Sequence, residues 1–136
     1  MFLHLFKVLK QREKKAANED FKVVKLNLAT FEKELIRSEL FGIKKGAFTG
    51  AIKDLKGHIH EANKGVLILE EIGELSHELQ AKLLTFIEDG EFTRVGSTKP
   101  EKAKVQIIGT TNRAEEGAFR EDFKARFRFF KVPPHI

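Results

Sequence analysis

Residues 66–71 read Val66-Leu67-Ile68-Leu69-Glu70-Glu71, an unbroken apolar run closed by two acids. A strand with one wet face alternates apolar and polar residues. A continuous run implies cover on both faces, as in the middle of a parallel sheet. Toward the C-terminus, Ser76 stands where a helix needs a capping oxygen. Leu79, Leu83, Leu84 and Ile87 share one helical stripe, and Gly90 supplies the stop. Residues 92–95 read as a short strand, followed by a polar loop through Lys102. Val105-Gln106-Ile107-Ile108 is a second buried strand ending at Gly109-Thr110-Thr111-Asn112. A polar helical stretch over 114–127 leads to a strand over 129–132, closed by Pro133 and Pro134, which cannot donate to a ladder.

Toward the N-terminus, the stretch from Gly42 to Gly65 holds glycines at 42, 46, 50 and 57 before Gly65 itself and reads largely as loop, with a short helix over 55–62. Before them, Thr30 is placed to cap a helix with Glu32 in its first turn, running to Phe41 and stopping at Gly42. Apolar residues at 21, 23, 24, 26 and 28, with branched Val23 and Val24, mark another strand. Phe2, Leu5, Phe6 and Leu9 fall at i, i+3, i+4 and i+7, the stripe of an amphipathic helix over 2–10. Strand and helix alternate, so the fold class is α/β, a parallel sheet flanked by helices, in one domain over residues 1–136.

At 41% hydrophobic and 33% charged, the chain is too apolar for disorder and too polar for a membrane protein. No apolar run approaches the ~20 residues that span a bilayer, so no membrane partner is expected. The first 15 residues are interrupted by His4 and Lys7 and end in charges, unlike a signal peptide. The absence of cysteine excludes disulfides, thiolate zinc sites and thiol catalysis, and fits a reducing cytoplasm. The net charge of +5 serves either phosphate-bearing partners or solubility. Lys7, Lys10, Arg12, Lys14 and Lys15 read as the solvated side of a helix. His58 and His60, two residues apart, point to different sides of a helix and do not form a metal pair.

Ligands of open parallel sheets bind beyond the carboxyl ends of the strands. Three polar clusters occupy such ends: Asn27, Glu70-Glu71 and Thr110-Thr111-Asn112. A buried strand ending in two acids has the layout of the second nucleotide motif of phosphate-loop ATPases, although acids close many strands with no such role. The hexapeptide Gly46-Ala47-Phe48-Thr49-Gly50-Ala51 gives the pair its context. GAFTGA is the signature loop of the bacterial enhancer-binding proteins, the AAA+ activators of sigma-54 RNA polymerase. The chain resembles that family from about residue 21 to 134. GVLILEEIGEL (65–75), EFTRVG (91–96), Thr-Thr-Asn-Arg from Thr110 and FREDFKARF (119–127) match further landmarks in the family's order.

The resemblance implies a set of roles. The GAFTGA loop rises from the pore of a homo-oligomeric ring and grips sigma-54, and Arg94-Val95-Gly96 lies in a second pore loop. Glu71 activates water for ATP hydrolysis, and Glu70 is the magnesium-side acid, acting through the ion's water shell. Asn27 restrains the catalytic carboxylate until the nucleotide state changes. Asn112, with Thr111, senses the γ-phosphate. Arg120 and Arg126 align with the arginine fingers that reach a neighbour's nucleotide; read from the sequence alone, they pair with Glu121 or Asp122 on their own helix.

The sequence also departs from the family. No glycine is followed by lysine, so there is no G-x-x-x-x-G-K-[ST] phosphate loop in these 136 residues. The family's helical lid would follow residue 136, and DNA contacts belong to domains absent here. Glu70 stands where the family has Asp, and Ile43 and Lys44 replace a histidine and an acid. The fold expected is therefore an incomplete AAA+ sheet with the GAFTGA insertion. Alone, the chain is expected to bind nucleotide feebly and hydrolyse little. Three readings stay open: a truncated product of a sigma-54 activator gene, a non-catalytic ring subunit offering its loop and fingers, and a basic nucleic-acid-binding fragment.

Overall fold

A computed structural model describes residues 2–6, 22–111, 118–126 and 128–132. In chain order the strands are Phe2–Phe6 (β1), Val23–Asn27 (β2), Gly42–Ile43 (β3), Leu55–Lys56 (β4), Gly65–Glu70 (β5), Glu91–Phe92 (β6), Glu101–Lys102 (β7), Val105–Thr111 (β8) and Arg128–Val132 (β9). The helices are Lys33–Phe41 (α1), His58–Glu61 (α2), His77–Asp89 (α3) and Glu121–Arg126 (α4). Five strands form one sheet in the order β2-β5-β8-β1-β9. The three strands β2, β5 and β8 are parallel, with the run at 66–69 in the central one.

The parallel sheet read from the sequence is confirmed for that trio and corrected beyond it. Residues 2–6 form a strand, not the start of a helix, and β1 lies antiparallel to both β8 and β9. Over five residues, apolar positions 2, 3, 5 and 6 do not separate a helical period from an extended one. The free edge of β8 then decides, because its unpaired amides and carbonyls accept a strand. The rest of the expected opening helix, and the basic residues from Lys7 to Lys15, lie outside the described residues. So do residue 21 of the next strand, residues 112–117 of the stretch before α4, and Pro133 and Pro134.

Packing is asymmetric. Leu26, Leu67, Leu69 and Ile107 share one sheet face and are buried with Ile36 and Leu40 of α1, Ile59 of α2 and Leu79, Leu83 and Phe86 of α3. Fully burying such a side chain is worth about 2 kcal/mol, so this face holds the helices to the sheet. On the other face Val66, Ile68 and Ile108 are half-buried and Val23 is 62% exposed. The cover expected on both sides is thus complete on one side only among the described residues.

Local chemistry explains the helix ends. Ser76 accepts a hydrogen bond from the Leu79 amide at 3.1 Å, and Gly90 ends α3 at φ 73°. Thr30 is not a helix cap: its hydroxyl donates to the Asn27 carbonyl at 2.6 Å within a 3₁₀ turn over Leu28–Thr30, and α1 begins at Lys33 behind Glu32. The short helix read at 55–62 contracts to α2, because 55 and 56 are taken by β4.

Candidate functional site

The carboxyl edge of the sheet gathers the predicted polar residues. The parallel register places Asn27 beside Glu70 and Glu70 beside Thr110, one row across three strands. Strand β8 runs through Thr111, so Thr110 and Thr111 are its last two residues. Thr111 is 1% exposed. Asn112 lies outside the described residues. Glu70 is half-buried, with one carboxylate oxygen 3.5 Å from Lys25 Nζ. The Asn27 Oδ1 accepts the Ala29 amide at 2.9 Å, so Nδ2 is the donor that this side chain has to offer.

Glu71 breaks from the strand with φ 56° and ψ 51°. A left-handed conformation at a residue with a Cβ costs about 1–2 kcal/mol, and strain of that kind concentrates at functional sites. It persists because the next residues lock it. A 3₁₀ turn over Ile72–Glu74 follows, with the Glu74 amide donating to the Glu71 carbonyl at 3.0 Å. Ile72 is fully buried against Gly109 of β8; a Cβ at Gly109 would meet Ile72 Cδ1 at 2.5 Å. The acid turn is therefore seated directly on the strand that leads to Thr110 and Thr111.

Magnesium keeps most of its waters and takes one or two carboxylates, and a single half-buried Glu70 at a strand end suits that chemistry. For a nucleotide the fit is one-sided: acids and strand-end hydroxyls are present, the phosphate cradle motif is not in these residues.

At the opposite end of the sheet stands the glycine-rich loop. Crossover helix α1 returns antiparallel to β2, so it delivers the chain to the amino end before β5 begins. Strands β3 and β4 form the stem. Its base is a backbone crossing: a Cβ at Gly57 would lie 2.4 Å from the Leu40 oxygen and 2.5 Å from the Gly42 nitrogen. The tip closes on itself, the Gly46 amide donating to the Ala51 carbonyl at 2.8 Å and the Ala51 amide to Phe48 at 3.0 Å. Phe48 is 54% exposed and Ile52 78%. Asp54 accepts the Lys45 amide at 2.6 Å and so ties the two limbs together.

The second loop is zipped to this stem. The Lys44 amide donates to the Val95 carbonyl at 3.0 Å and the Val95 amide to the Gly42 carbonyl at 2.9 Å. Gly96, at φ 81°, passes Ala47 so closely that a Cβ would sit 2.4 Å from Ala47 Cβ. Arg94 does not project: its Nε and a terminal nitrogen hold the Glu101 carboxylate at 2.7 and 3.2 Å, bracing the β6–β7 hairpin.

The two candidate finger arginines are held within the chain. Arg120 grips Asp122 with two bonds of 2.9 and 3.0 Å, and Arg126 contacts Glu88 of α3. The Asp122 bond lifts the Arg120 pKa and lowers that of Asp122. Both pairs are solvent-exposed, and exposed pairs yield readily to a stronger anion.

Two further residues make contacts that the sequence reading did not assign: His58, considered there only as a metal ligand, and Gln80. Both nitrogens of His58 face carboxylates, Glu61 at 2.7 Å and Glu39 at 3.0 Å, which joins α2 to α1 below the loop. Gln80 is polar and fully buried, with hydrogen bonds to residues 75, 118 and 120. The available signal was its place three, four and seven residues before Leu83, Leu84 and Ile87, a polar group on the apolar stripe.

His60 yields a pH prediction. Burial, then the charge of Lys56, pushes its pKa below 6.5, and its Nδ1 is buried without a hydrogen-bond partner. The unfolded chain then binds a proton that the folded chain resists. Stability is full above about pH 6.5 and falls as the pH drops through that value. His60→Leu should flatten the thermal midpoint between pH 6.5 and 5. A midpoint that declines in parallel with the parent over that window would contradict it.

The chain is similar to known proteins over most of its length. Residues 5–133 match the family described as the sigma-54 interaction domain. The Nif-specific regulatory protein of Azotobacter vinelandii is 46% identical over 118 residues, covering 82% of this chain and 23% of that protein. The DNA-binding transcriptional regulator NtrC of Escherichia coli (strain K12) is 44% identical over 118 residues, covering 82% of this chain and 25% of that protein. The crystal structure of NtrX from Brucella abortus in complex with ATP matches with a TM-score of 0.69 at 34% identity, over 81% of this chain and 24% of that one. The chain thus spans about a quarter of the length of these relatives.

Proposed function

The chain belongs to the sigma-54 interaction domain family, and from that premise we propose that it forms the central part of an AAA+ motor that couples ATP hydrolysis to remodelling of the sigma-54 RNA polymerase complex. The observation that supports this reading is the position of the polar row and the glycine-rich loop at opposite ends of one sheet. Asn27, Glu70 and Thr110 align at the carboxyl edge, while the exposed Phe48 tip stands on a stem at the amino edge, and α1 runs between them.

In this reading Glu71 would orient the attacking water and Glu70 would hold magnesium through the ion's water shell. When bound, magnesium would neutralise the negative charge on the phosphate oxygens as the phosphoryl group passes to water. The Asn27 amide is the donor that restrains the catalytic carboxylate, and Thr111 with Asn112 reports the γ-phosphate. Movement of Asn27 reaches the loop along α1, and the Val95 zipper carries it into the second loop of Arg94, Val95 and Gly96. Gly46, Ala47, Phe48, Thr49, Gly50 and Ala51 engage sigma-54. Arg120 and Arg126 leave Asp122 and Glu88 for the nucleotide of the next subunit in a homo-oligomeric ring. Such a ring works in the cytoplasm, and DNA contacts belong to other domains.

In a parent that carries the phosphate loop, Thr49→Ala should leave ATP hydrolysis intact and weaken sigma-54 engagement about tenfold, the most that one neutral hydrogen bond is worth. Equal loss of both activities would contradict the separation of roles.

A further inference from the structure

Gln80 is the one fully buried polar side chain of α3 among the described residues. Its Nε2 donates to the Leu75 carbonyl at 3.1 Å and to the Ala118 carbonyl at 2.7 Å, and its Oε1 accepts the Arg120 amide at 2.8 Å. The amide has one orientation only, because the reverse would set Oε1 against two carbonyl oxygens. Leu75 closes the turn that begins at Glu71; Ala118 and Arg120 lead into α4. A single side chain thus ties the turn carrying the candidate water-activating acid to the segment carrying the candidate finger, 40 residues away in sequence.

We propose that Gln80 is a positioning residue that couples the nucleotide site of one subunit to the arginine that subunit presents to its neighbour. A shift of the Glu71–Leu75 turn pulls on Gln80 at Nε2, and Gln80 passes the pull to the Arg120 backbone through Oε1. The coupling is stiff for a physical reason: the Gln80 side chain is fully buried, its bond to Leu75 is buried and those to Ala118 and Arg120 are part-buried, and leaving a buried amide group unpaired costs its desolvation penalty. The exposed Arg120–Asp122 pair offers no such resistance, so the guanidinium can leave Asp122 while its backbone stays anchored. The role rests on the finger assignment of the preceding reading.

The test uses the whole chain. In amide hydrogen exchange, Gln80→Met should raise exchange at Arg120 and at Glu74–Leu75 together, each by about tenfold. Leu83→Ala, a buried apolar change on the same helix with a matched loss of thermal midpoint, should not single out those two places. Continued protection at Arg120, or a response of one segment without the other, overturns the brace. In a second arm the chain is mixed with a relative that carries the phosphate loop, and ATP hydrolysis is followed against ATP concentration. Stimulation by the parent chain should fall about tenfold in kcat with Gln80→Met while KM holds within about twofold, and Leu83→Ala should keep it. A parent chain that gives no stimulation defeats the finger assignment and this role with it. Stimulation that survives Gln80→Met defeats the role alone.

Discussion

Gly57→Ala is expected to destabilise the domain by about 3 kcal/mol, the upper range for forcing a methyl group into a closed space. The added Cβ would lie 2.4 Å from the Leu40 oxygen, 2.5 Å from the Gly42 nitrogen and 2.6 Å from the Phe41 carbonyl carbon. All three atoms are backbone, so no rotamer change relieves the contact. Gly42 is equally closed from the other side, with Leu55 oxygen 2.6 Å from its own Cβ position. The stem must separate, and hydrogen exchange across residues 44–54 should rise with the loss of stability. Gly46 and Gly50 provide the contrast: nothing lies within 4 Å of a Cβ at either, although both have positive φ. Alanine there incurs only the left-handed backbone term of about 1–2 kcal/mol. Urea denaturation of the three variants checks the order. A Gly57→Ala protein within about 1 kcal/mol of the parent would show that the crossing is loose.

The second large effect is expected at Gly109. Alanine meets the far end of a flexible side chain, Ile72 Cδ1, and should cost less than about 1 kcal/mol, because that methyl turns aside. Valine adds two branches at a site where the Ile72 Cβ and Cγ1 already lie 3.5 Å from the new Cβ. Ile72 is fully buried and follows Glu71 directly, so the turn itself has to move. Gly109→Val should lose about 2–3 kcal/mol of stability and speed exchange at Glu74 and Leu75. Equal behaviour of the alanine and valine variants would mean that Ile72 does not seat the acid turn on β8.

The features legible in the sequence are those with local causes. The apolar run at 66–69 marks a central parallel strand. Ser76 and Gly90 bound α3, and Gly42 stops α1 at φ 92°. The family resemblance was legible because the signature loop and the acid pair are contiguous words in the chain. What escaped depends on partners far away in sequence. Residues 2–6 take the strand state because β8 has an edge to offer. Thr30 turns its hydroxyl inward to Asn27, which moves the start of α1 to Lys33. Arg94 reads as a loop cation but is consumed by Glu101 across a hairpin. Gln80 reads as one more polar helix residue until its three backbone partners are assembled around it.

In the proposed function the tip at Phe48 is the surface offered to sigma-54. A photo-crosslinking phenylalanine analogue placed at Phe48, with the same group placed at Leu35 as a control, tests it in purified chain mixed with purified sigma-54. Both sites are similarly open, Phe48 at 54% and Leu35 at 47%, so accessibility alone does not separate them. A crosslink to sigma-54 is expected from position 48 and none from position 35. Equal yields from the two positions, or none from position 48, would contradict it.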